Sequence, residues 1–257
     1  MFQVSNLTKR HYGLTALDDF SYSVNQGEIV GLIGPNGSGK STSIDCISGF
    51  QVPNSGSYVL DGTDLTGMSP QKISLLGLTR TFQTVRAYDE LTLEENLCTA
   101  AQAGDGVGWW PSIVRNRACR EAEARARDRA HELLALVGLS EYANAPSAIL
   151  SYGQKKLLAI AASIMARPRL VILDEPVAGV NPTMVGKIAE TIHKIRAEGL
   201  TLIVVEHNIK FIMNICDRVI VLEAGRKIAD GPPGLIHSDQ RVLEAYLGKR
   251  RTAEVAR

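Results

Sequence analysis

Hydrophobic residues in the N-terminal third of the chain fall into short runs that predict β-strands. Three such runs, bounded by glycine, asparagine or aspartate, cover 2–7, 17–24 and 27–34. The third run leads into a glycine-rich loop, and the helix predicted after that loop begins at Lys40. A strand, a glycine loop and a helix in this order are typical of a phosphate-binding unit.

The same alternation of strands and helices continues to about residue 83. Strands are predicted at 56–65 and at 77–83. Between them, 69–77 predict a short helix that has Ser69 as its N-cap and a proline in its first position.

The C-terminal third again consists of strands separated by helices. Continuous apolar runs predict buried strands at 169–176 and 200–207, and a helix is predicted between them at 181–199. The segment 217–231 predicts a β-hairpin. Strands that alternate with helices imply a parallel sheet, so the fold class is α/β.

The middle of the chain has a helical pattern instead. Helical runs are predicted at 92–102 and 115–138, with a break at 104–111 between them. The arginines of this segment have acidic residues four positions away, and this spacing predicts a solvated helix face. It disfavours the alternative of a nucleic-acid contact. The apolar face of the second run is marked by Leu133, Leu134 and Val137.

Composition and charge narrow the function classes. The 257 residues are 45% hydrophobic and carry a formal charge of +1, so there is no overall field to attract nucleic acid or anionic lipid. The four cysteines have no metal-ligand spacing, which favours reduced, buried thiols. No stretch reaches about 18 uncharged apolar residues. We therefore expect a cytosolic protein that reaches a membrane only through another protein.

The glycine-rich loop fits the pattern G-x-x-x-x-G-K-[ST]. Glycines let the backbone turn its N–H groups toward phosphate, a lysine reaches the β- and γ-phosphates, and a serine is a ligand for Mg²⁺. A purely structural glycine turn is disfavoured, because a strand precedes the loop and a helix follows it. The candidate phosphate-binding residues are Gly34, Pro35, Asn36, Gly37, Ser38, Gly39, Lys40, Ser41 and Thr42.

Two adjacent carboxylates end a strand that is too apolar to face water. Asp174 is suited to a direct or indirect role at Mg²⁺, and Glu175 is suited to orient or deprotonate an attacking water. The alternative is a pair of helix-capping residues before Pro176. The presence of Lys40 and Ser41 upstream favours the hydrolytic interpretation.

Two more polar side chains are predicted at strand ends. His207 follows the strand 200–207, where it is either a satisfied histidine at a helix start or a contact to γ-phosphate or the attacking water. Gln83 ends the strand 77–83 and is either a surface-loop residue or a ligand of Mg²⁺ or water through its amide.

A second helix start has the features of an anion site. Ser151 precedes Gly153 and Gln154 immediately before an apolar-periodic stretch, so we expect unpaired backbone N–H groups there. The chain thus has two surfaces that attract phosphate, this one and the loop at 34–42.

Taken together, these motifs resemble those of the ATP-binding subunits of ABC transporters, over about residues 2–248. Within that superfamily the segments around Gln83, Ser151, Glu175 and His207 are similar to the ATPases of branched-chain amino-acid importers. The resemblance implies a P-loop NTPase core with a mostly parallel sheet, an N-terminal antiparallel β subdomain and an α-helical subdomain inserted at about 84–165. A charged tail, 249–257, follows.

The resemblance also implies roles for individual residues. Tyr12 matches the aromatic residue that stacks on adenine, and Gln83 matches the glutamine that links the γ-phosphate site to the membrane subunits. Glu175 matches the catalytic base, and His207 matches the switch histidine.

The signature of the family is matched by Ser151, Gly153 and Gln154. Tyr152 stands where many relatives have glycine, and Asn181 replaces an aspartate that is common in the loop contacting the second cassette. Both departures are marks of the amino-acid importer branch.

The resemblance implies partners as well. Two cassettes meet head to tail as a homodimer or a heterodimer, so that the Ser151 helix of one binds the γ-phosphate held by the Lys40 loop of the other. Transmembrane permease subunits dock on the pair, and an extracytoplasmic solute-binding protein acts through them. The cofactors are ATP and Mg²⁺, and nucleic acid is not expected as a partner.

Other functions remain open at this point. Urea or another amide is an alternative cargo for such an importer, since the ATPases of importers for these compounds have similar motifs. A soluble ABC ATPase acting on ribosomes or nucleic acid is a rival, as is a regulatory subunit with little turnover. A P-loop kinase or GTPase lacks support, because no N-K-x-D element is present.

Overall fold

The structure, a computed structural model, describes residues 1–83, 87–101 and 117–246. The predicted break at 104–111, the predicted domain ends at 84 and 248 and the predicted tail at 249–257 lie outside these residues. The strands of the described part are β1 (Phe2–His11), β2 (Leu14–Val24), β3 (Ile29–Ile33), β4 (Ser55–Leu60), β5 (Thr63–Asp64), β6 (Leu78–Arg80), β7 (Leu170–Asp174), β8 (Thr201–Val205), β9 (Arg218–Glu223) and β10 (Arg226–Gly231).

Helices separate most of these strands, and residues 240–246 near the C-terminus are also helical. Among the helices of the described residues, none is both long and apolar enough to span a lipid bilayer. In chain order the helices are α1 (Lys40–Ile47), α2 (Pro70–Leu75), α3 (Leu93–Ala101), α4 (Arg117–Leu136), α5 (Tyr152–Ile164), α6 (Pro182–Ala197), α7 (Ile209–Ile215) and α8 (Pro233–Ser238).

The strands form two sheets. The smaller sheet is antiparallel, with the order β2-β1-β4-β5. The larger sheet has the order β10-β9-β3-β8-β7-β6, and all its neighbouring strands are parallel except β10 and β9. Parallel strands present their carboxyl ends at one edge, so the loops after β3, β7 and β8 lie side by side.

Both faces of the larger sheet are buried, which explains why its strands are apolar throughout. Side chains alternate across a strand, so Ile29 and Ile33 of β3 enter a first hydrophobic core while Val30 and Leu32 enter a second one on the opposite face. The second core lies between the larger sheet and the antiparallel sheet, and it includes Phe20, Ile44 and Tyr58.

The helices between β6 and β7 belong to the first core. Leu97 of α3, Leu133 and Leu134 of α4 and Leu157 of α5 are all buried in it together with β3 and β7 residues. Val137 is buried there too, so the apolar face predicted for α4 is confirmed. On the solvated face of α4, Arg127 Nε lies 3.5 Å from Glu94 Oε1 of α3.

Strand bounds differ from the predictions at several points, including β2, which begins at Leu14 rather than at residue 17. The first strand runs to His11 rather than residue 7, because bulges shift the β1–β2 register and break the apolar alternation that the prediction relied on. The strand predicted at 77–83 ends at Arg80. Thr81 still donates its N–H to Ile172 O at 2.9 Å, after which the chain leaves the sheet. Gln83 therefore lies in a loop beyond the strand and does not end it.

Candidate active site

The loop between β3 and α1 requires glycine at its two ends. A Cβ on Gly34 would lie 2.1 Å from Leu222 O, and a Cβ on Gly39 would lie 2.5 Å from Ala16 O. Gly39 also has a φ of 106°, which L-residues with side chains rarely adopt. The loop is thus pressed against two neighbouring backbone segments, while Asn36, Gly37 and Ser41 are exposed.

Helix α1 starts without a side-chain cap. Its N-cap is Gly39, which makes no side-chain hydrogen bond to the N–H groups of the first turn. Lys40 folds back over the loop, where its Nζ donates to Gly34 O at 2.7 Å and to Pro35 O at 3.1 Å. A helix start and a lysine ammonium therefore belong to the same loop, a combination that suits an anion such as a phosphate.

Three of the predicted catalytic residues come together at the edge where β6, β7 and β8 end. Gln83 Nε2 donates to Glu175 Oε2 at 2.7 Å, and His207 Nδ1 lies 3.8 Å from Glu175 Oε1. Glu175 has a φ of 47°, a left-handed conformation that is costly for a residue with a side chain and that clusters at functional sites. Glu175 is thus the residue that both predicted partners face.

His207 is not a helix-capping residue. Helix α7 is capped by Asn208, whose Oδ1 accepts from Phe211 N at 3.1 Å. The His207 side chain is 59% exposed, and it projects from the loop after β8. This position favours a contact to a bound ligand over the alternative of a satisfied histidine at a helix start.

Asp174 is joined to α1 by an arginine that sequence reasoning missed. Arg80 Nη2 lies 2.9 Å from Asp174 Oδ2, and its Nη1 lies 2.7 Å from Asp45 Oδ1 of α1. Burial raises the pKa of Asp174, and the hydrogen bond and charge of Arg80 act in the opposite direction. The end of β7 is thereby held beside the helix that follows the phosphate loop.

A second missed residue, Glu206, supports the loop that carries His207. Its carboxylate is buried and accepts N–H groups from Val177 at 3.0 Å, His207 at 3.1 Å and Asn208 at 3.2 Å. A carboxylate at the end of an apolar strand is the pattern that identified Asp174, so the same argument could have found Glu206.

The third missed residue is Lys156 on α5, whose side chain is almost fully buried. Its Nζ donates to Gln83 O at 2.8 Å and to Glu175 O at 3.0 Å. Burial lowers the pKa of this ammonium, and the charges of Glu206, Asp174 and Glu175 oppose the shift. The helical spacing of Lys156 with the apolar residues Ile160 and Ile164 is the signal that could have placed it on the buried face of α5.

The predicted start of α5 is confirmed, with Ser151 as its N-cap. The expectation of unpaired N–H groups there is wrong for Gln154, because a capping box bonds its N–H. Ser151 and Gln154 form a capping box: Ser151 N donates to Gln154 Oε1 at 2.9 Å, and Gln154 N donates to Ser151 Oγ at 3.4 Å. Gly153 is required by packing, because a Cβ there would lie 2.4 Å from Met184 Cγ of α6.

Tyr152 and Asn181, the two departures from the family pattern, lie near this helix start. The Tyr152 ring is 47% exposed and would lie 3.4 Å from a Cβ on Gly179. Asn181 is the N-cap of α6, and its Oδ1 accepts from Met184 N at 3.0 Å. Asn181 therefore has a local structural role as a helix cap.

Tyr12, the predicted adenine contact, lies at the tip of the hairpin between β1 and β2. Its φ of 45° is left-handed, and its side chain is fully exposed. The same sheet reaches the phosphate loop, since Asp18 N donates to Gly225 O and Gly225 N donates to Ser38 O. An exposed aromatic ring at this position is available for stacking.

The donor chemistry of the predicted metal ligands fits Mg²⁺. This ion takes oxygen ligands and is commonly shared between one or two carboxylates and substrate phosphates. Ser41 offers a hydroxyl and Asp174 a carboxylate. Gln83 uses its amide nitrogen toward Glu175, so its amide oxygen Oε1 is the atom that would meet a cation.

Comparison with known proteins agrees with this geometry. A family model described as ABC transporter matches residues 17–178, which is more than half of the chain. The chain belongs to the ABC transporter family. As an ABC transporter cassette it is 38% identical over 250 residues to the high-affinity branched-chain amino acid transport ATP-binding protein BraF of Pseudomonas aeruginosa, covering 97% of this chain and 98% of that protein.

Solved ABC transporter cassettes have the same fold. The ADP conformation of MJ1267, an ATP-binding cassette of an ABC transporter, matches with a TM-score of 0.83 and 31% identity over 96% of this chain and 98% of that one. A dimeric post-hydrolysis state of the cassette MJ0796, bound to ADP and Pi, matches with a TM-score of 0.74 and 25% identity over 91% and 99%. The fold class predicted from the sequence is therefore confirmed.

Proposed function

We propose that this ABC cassette is the ATP-hydrolysing subunit of an importer for branched-chain or related amino acids. The observation that carries the proposal is the group formed by Gln83, Glu175 and His207 at the sheet edge that also bears the Lys40 loop. The similarity to BraF supports the class of cargo, and urea or another amide is the alternative cargo.

Hydrolysis requires a base for the attacking water. In the proposed step Glu175 accepts a proton from water as its oxygen bonds to the γ-phosphorus, and the bond to the bridging oxygen breaks so that ADP leaves. Gln83 orients the Glu175 carboxylate and the water, and His207 donates to the γ-phosphate. Lys40 and the N–H groups of α1 hold the β- and γ-phosphates throughout.

Mg²⁺ would neutralise charge on the phosphates when it is bound. Ser41, Gln83 and Asp174 are the residues of this chain that would hold it. The Arg80 contact keeps the Asp174 carboxylate beside α1, so a carboxylate oxygen remains close to the helix on which Ser41 lies.

A second cassette completes the site in this proposal. Ser151, Gly153 and Gln154 of one copy would contact the γ-phosphate held by Lys40 of the other, as the sequence resemblance implies. The dimeric arrangement of MJ0796 supports such a pair. ATP then favours closure because it contacts both halves, and loss of the γ-phosphate contact favours opening.

The permease partner has a suitable surface in a groove of about 880 Å³ between α2, β6 and α5. Phe50 and Phe82 line it with ring centroids 5.5 Å apart, and Leu75 is 60% exposed beside them. Apolar side chains exposed together mark an interaction site. We place a cytoplasmic segment of a permease here, which would hold the cassette at the inner face of the membrane close to Gln83.

The groove is tested by co-purification of the cassette with its permease. Leu75→Ala is expected to reduce recovery of the complex while leaving the ATPase rate of the isolated cassette unchanged. Leu235→Ala, at a similarly exposed leucine outside the groove, is the matched control. Equal recovery of both variants would remove the groove from the proposal.

The main test is Glu175→Gln, which keeps the shape of the side chain but removes its basicity. We expect steady ATP turnover to fall by about 10²–10⁴-fold, with ATP binding retained and the ATP-bound dimer longer lived. Glu190→Gln on the exposed face of α6 is the control and should turn over normally. Retained turnover in Glu175→Gln would remove the base from the mechanism.

A further inference from the structure

Lys156 links two residues of the catalytic group through their backbone. Its ammonium donates to Gln83 O and to Glu175 O, at 2.8 and 3.0 Å. These carbonyls belong to segments that lie 92 residues apart in the chain, as the numbering of the Gln83–Glu175 hydrogen bond gives. The side chain of Lys156 comes from a third segment, α5.

Burial makes this arrangement unusual for a lysine. Only 3% of Lys156 is exposed, whereas buried lysines are rare unless they are paired. A lysine ammonium has three donors, and two of them are directed at the two carbonyls. The charge is balanced by buried or part-buried carboxylates of Glu206, Asp174 and Glu175, so the site is built to keep an ammonium at this point.

The position of Lys156 on α5 adds a second consequence. Lys156 lies about one turn and a half after Ser151, so the helix start that would contact ATP and the ammonium that holds Gln83 and Glu175 belong to one rigid element. The Tyr152 ring, in the first turn, lies 5.6 Å from Lys156 Nζ. Movement of the α5 start is therefore coupled to the two carbonyls.

We propose that Lys156 is a positioning residue for ATP hydrolysis, which sets the spacing of Gln83 and Glu175 and joins both to the helix that begins at Ser151. This inference rests on the proposed function, because it assumes that Glu175 acts on water. Lys156 touches neither ATP nor water in this scheme. Its effect passes through the backbone of the two residues it bonds.

The proposal predicts a specific kinetic pattern for Lys156→Met, which removes the donors and keeps an unbranched apolar side chain. Small displacements of a catalytic group cost up to about 100-fold in rate, so we expect kcat to fall by about 10- to 100-fold. The Lys40 loop makes no contact with Lys156 among the bonds described, so the KM for ATP should change by less than about twofold.

The experiment compares three variants of the full chain. Lys155→Met is the matched control: it makes the same change one residue earlier, where the ammonium instead pairs with Asp89 at 2.5 Å. Lys156→Arg retains the charge and the donors but replaces a compact ammonium with a larger planar group, so it should recover only part of the turnover that Lys156→Met loses. Binding of a fluorescent ATP analogue and the midpoint of thermal unfolding are measured on each.

Coupling is tested in the Glu175→Gln background. If Lys156 acts through Glu175, adding Lys156→Met there should leave the residual turnover nearly unchanged, whereas independent effects would multiply. If Lys156→Met does not fold, Lys156→Gln replaces it, because a carboxamide can donate to one of the two carbonyls and keeps the site polar.

Three results would overturn the inference. The first is an equal kcat for Lys156→Met and Lys155→Met. The second is a joint loss of nucleotide binding and turnover that Lys156→Arg does not restore. The third is a multiplicative loss of turnover in the double variant. Failure of the proposed function is distinguishable from all three. In that case the unmodified chain would show either no ATP turnover or a turnover that Glu175→Gln does not abolish. This result would not depend on the residue at position 156.

Discussion

The two helix starts proposed to contact phosphate, those of α1 and α5, are built differently. At α1 the N-cap is Gly39, which has no side chain that could bond the N–H groups of the first turn. At α5, Ser151 and Gln154 satisfy each other in a capping box. The first start is open to an anion, and the second is occupied by its own side chains.

In the proposed mechanism this difference gives the two helix starts different parts in nucleotide binding. An open start with a lysine above it is ready for phosphate in a single copy of the chain. A capped start must exchange its own hydrogen bonds for those to a ligand, which costs about 1 kcal/mol or less for a neutral cap. In the proposed dimer α1 therefore binds first, and α5 engages only when a second copy presents a γ-phosphate.

Lys40→Ala is expected to have the largest effect, and this effect distinguishes the α1 start from the α5 start. Lys40→Ala removes the ammonium above the α1 loop, and loss of charge-assisted hydrogen bonds of about 2–3 kcal/mol lowers ATP affinity by about 30- to 150-fold. A fluorescent-nucleotide titration measures it. Lys72→Ala, at an exposed lysine of α2, is the control. Unchanged affinity in Lys40→Ala would contradict the assignment of the loop.

Ser151→Ala should produce the opposite pattern. Affinity of the isolated cassette for ATP stays within about twofold, but kcat falls by about tenfold, because the hydroxyl is needed only when two copies close. Titration and steady-state turnover are measured together. Ser140→Ala, at another exposed serine, serves as the comparison. A loss of monomer affinity in Ser151→Ala would show that the two starts do not act in sequence.

Tyr12→Ala sharpens the comparison on the α1 side. Stacking of a base on an aromatic ring is worth about 1–3 kcal/mol, so ATP affinity should fall by at least about fivefold. Inorganic tripolyphosphate, which has no base, should bind both proteins equally. The unfolding midpoint should not change, since the ring is fully exposed. Equal affinity of both proteins for ATP would exclude the stacking role.

The smallest expected effect concerns stability without nucleotide. Gln154→Ala removes half of the capping box and should lower the free energy of unfolding by about 1 kcal/mol. Ser41→Ala makes a similar truncation in the first turn of α1, where no side-chain cap exists, and should leave it nearly unchanged. Denaturant titrations of both variants give the difference. Equal losses would mean that α1 is also capped by its side chains.

The parts of the site that sequence reasoning found are those whose chemistry is local. The glycines at 34 and 39, Lys40 and the capping residue Ser151 each follow from the residues immediately around them. Asp174 and Glu175 were found because carboxylates are costly at the end of an apolar strand. The parallel sheet followed from the alternation of strands and helices, which is also a local pattern.

The contacts between these parts were not predictable in the same way. Arg80 meets Asp174 across 94 positions and Lys156 meets Gln83 across 73, and no spacing rule connects such residues. The length of β1 was wrong because bulges in its pairing with β2 remove the period of two. Gln83 was expected to end a strand, but β6 ends at Arg80, where pairing with the neighbouring strand stops.

Arg80 has one more property that follows from the shape of a guanidinium group. Its edge carries the N–H groups bonded to Asp45 and Asp174, while its carbon lies 5.8 Å from the Phe50 ring centre and 5.5 Å from that of Phe82. A planar cation has edges for carboxylates and faces for rings, whereas an ammonium is a point charge. Lysine at this position would preserve the sign of the charge and lose the geometry. Position 80 therefore requires a planar cationic group and not only a positive charge.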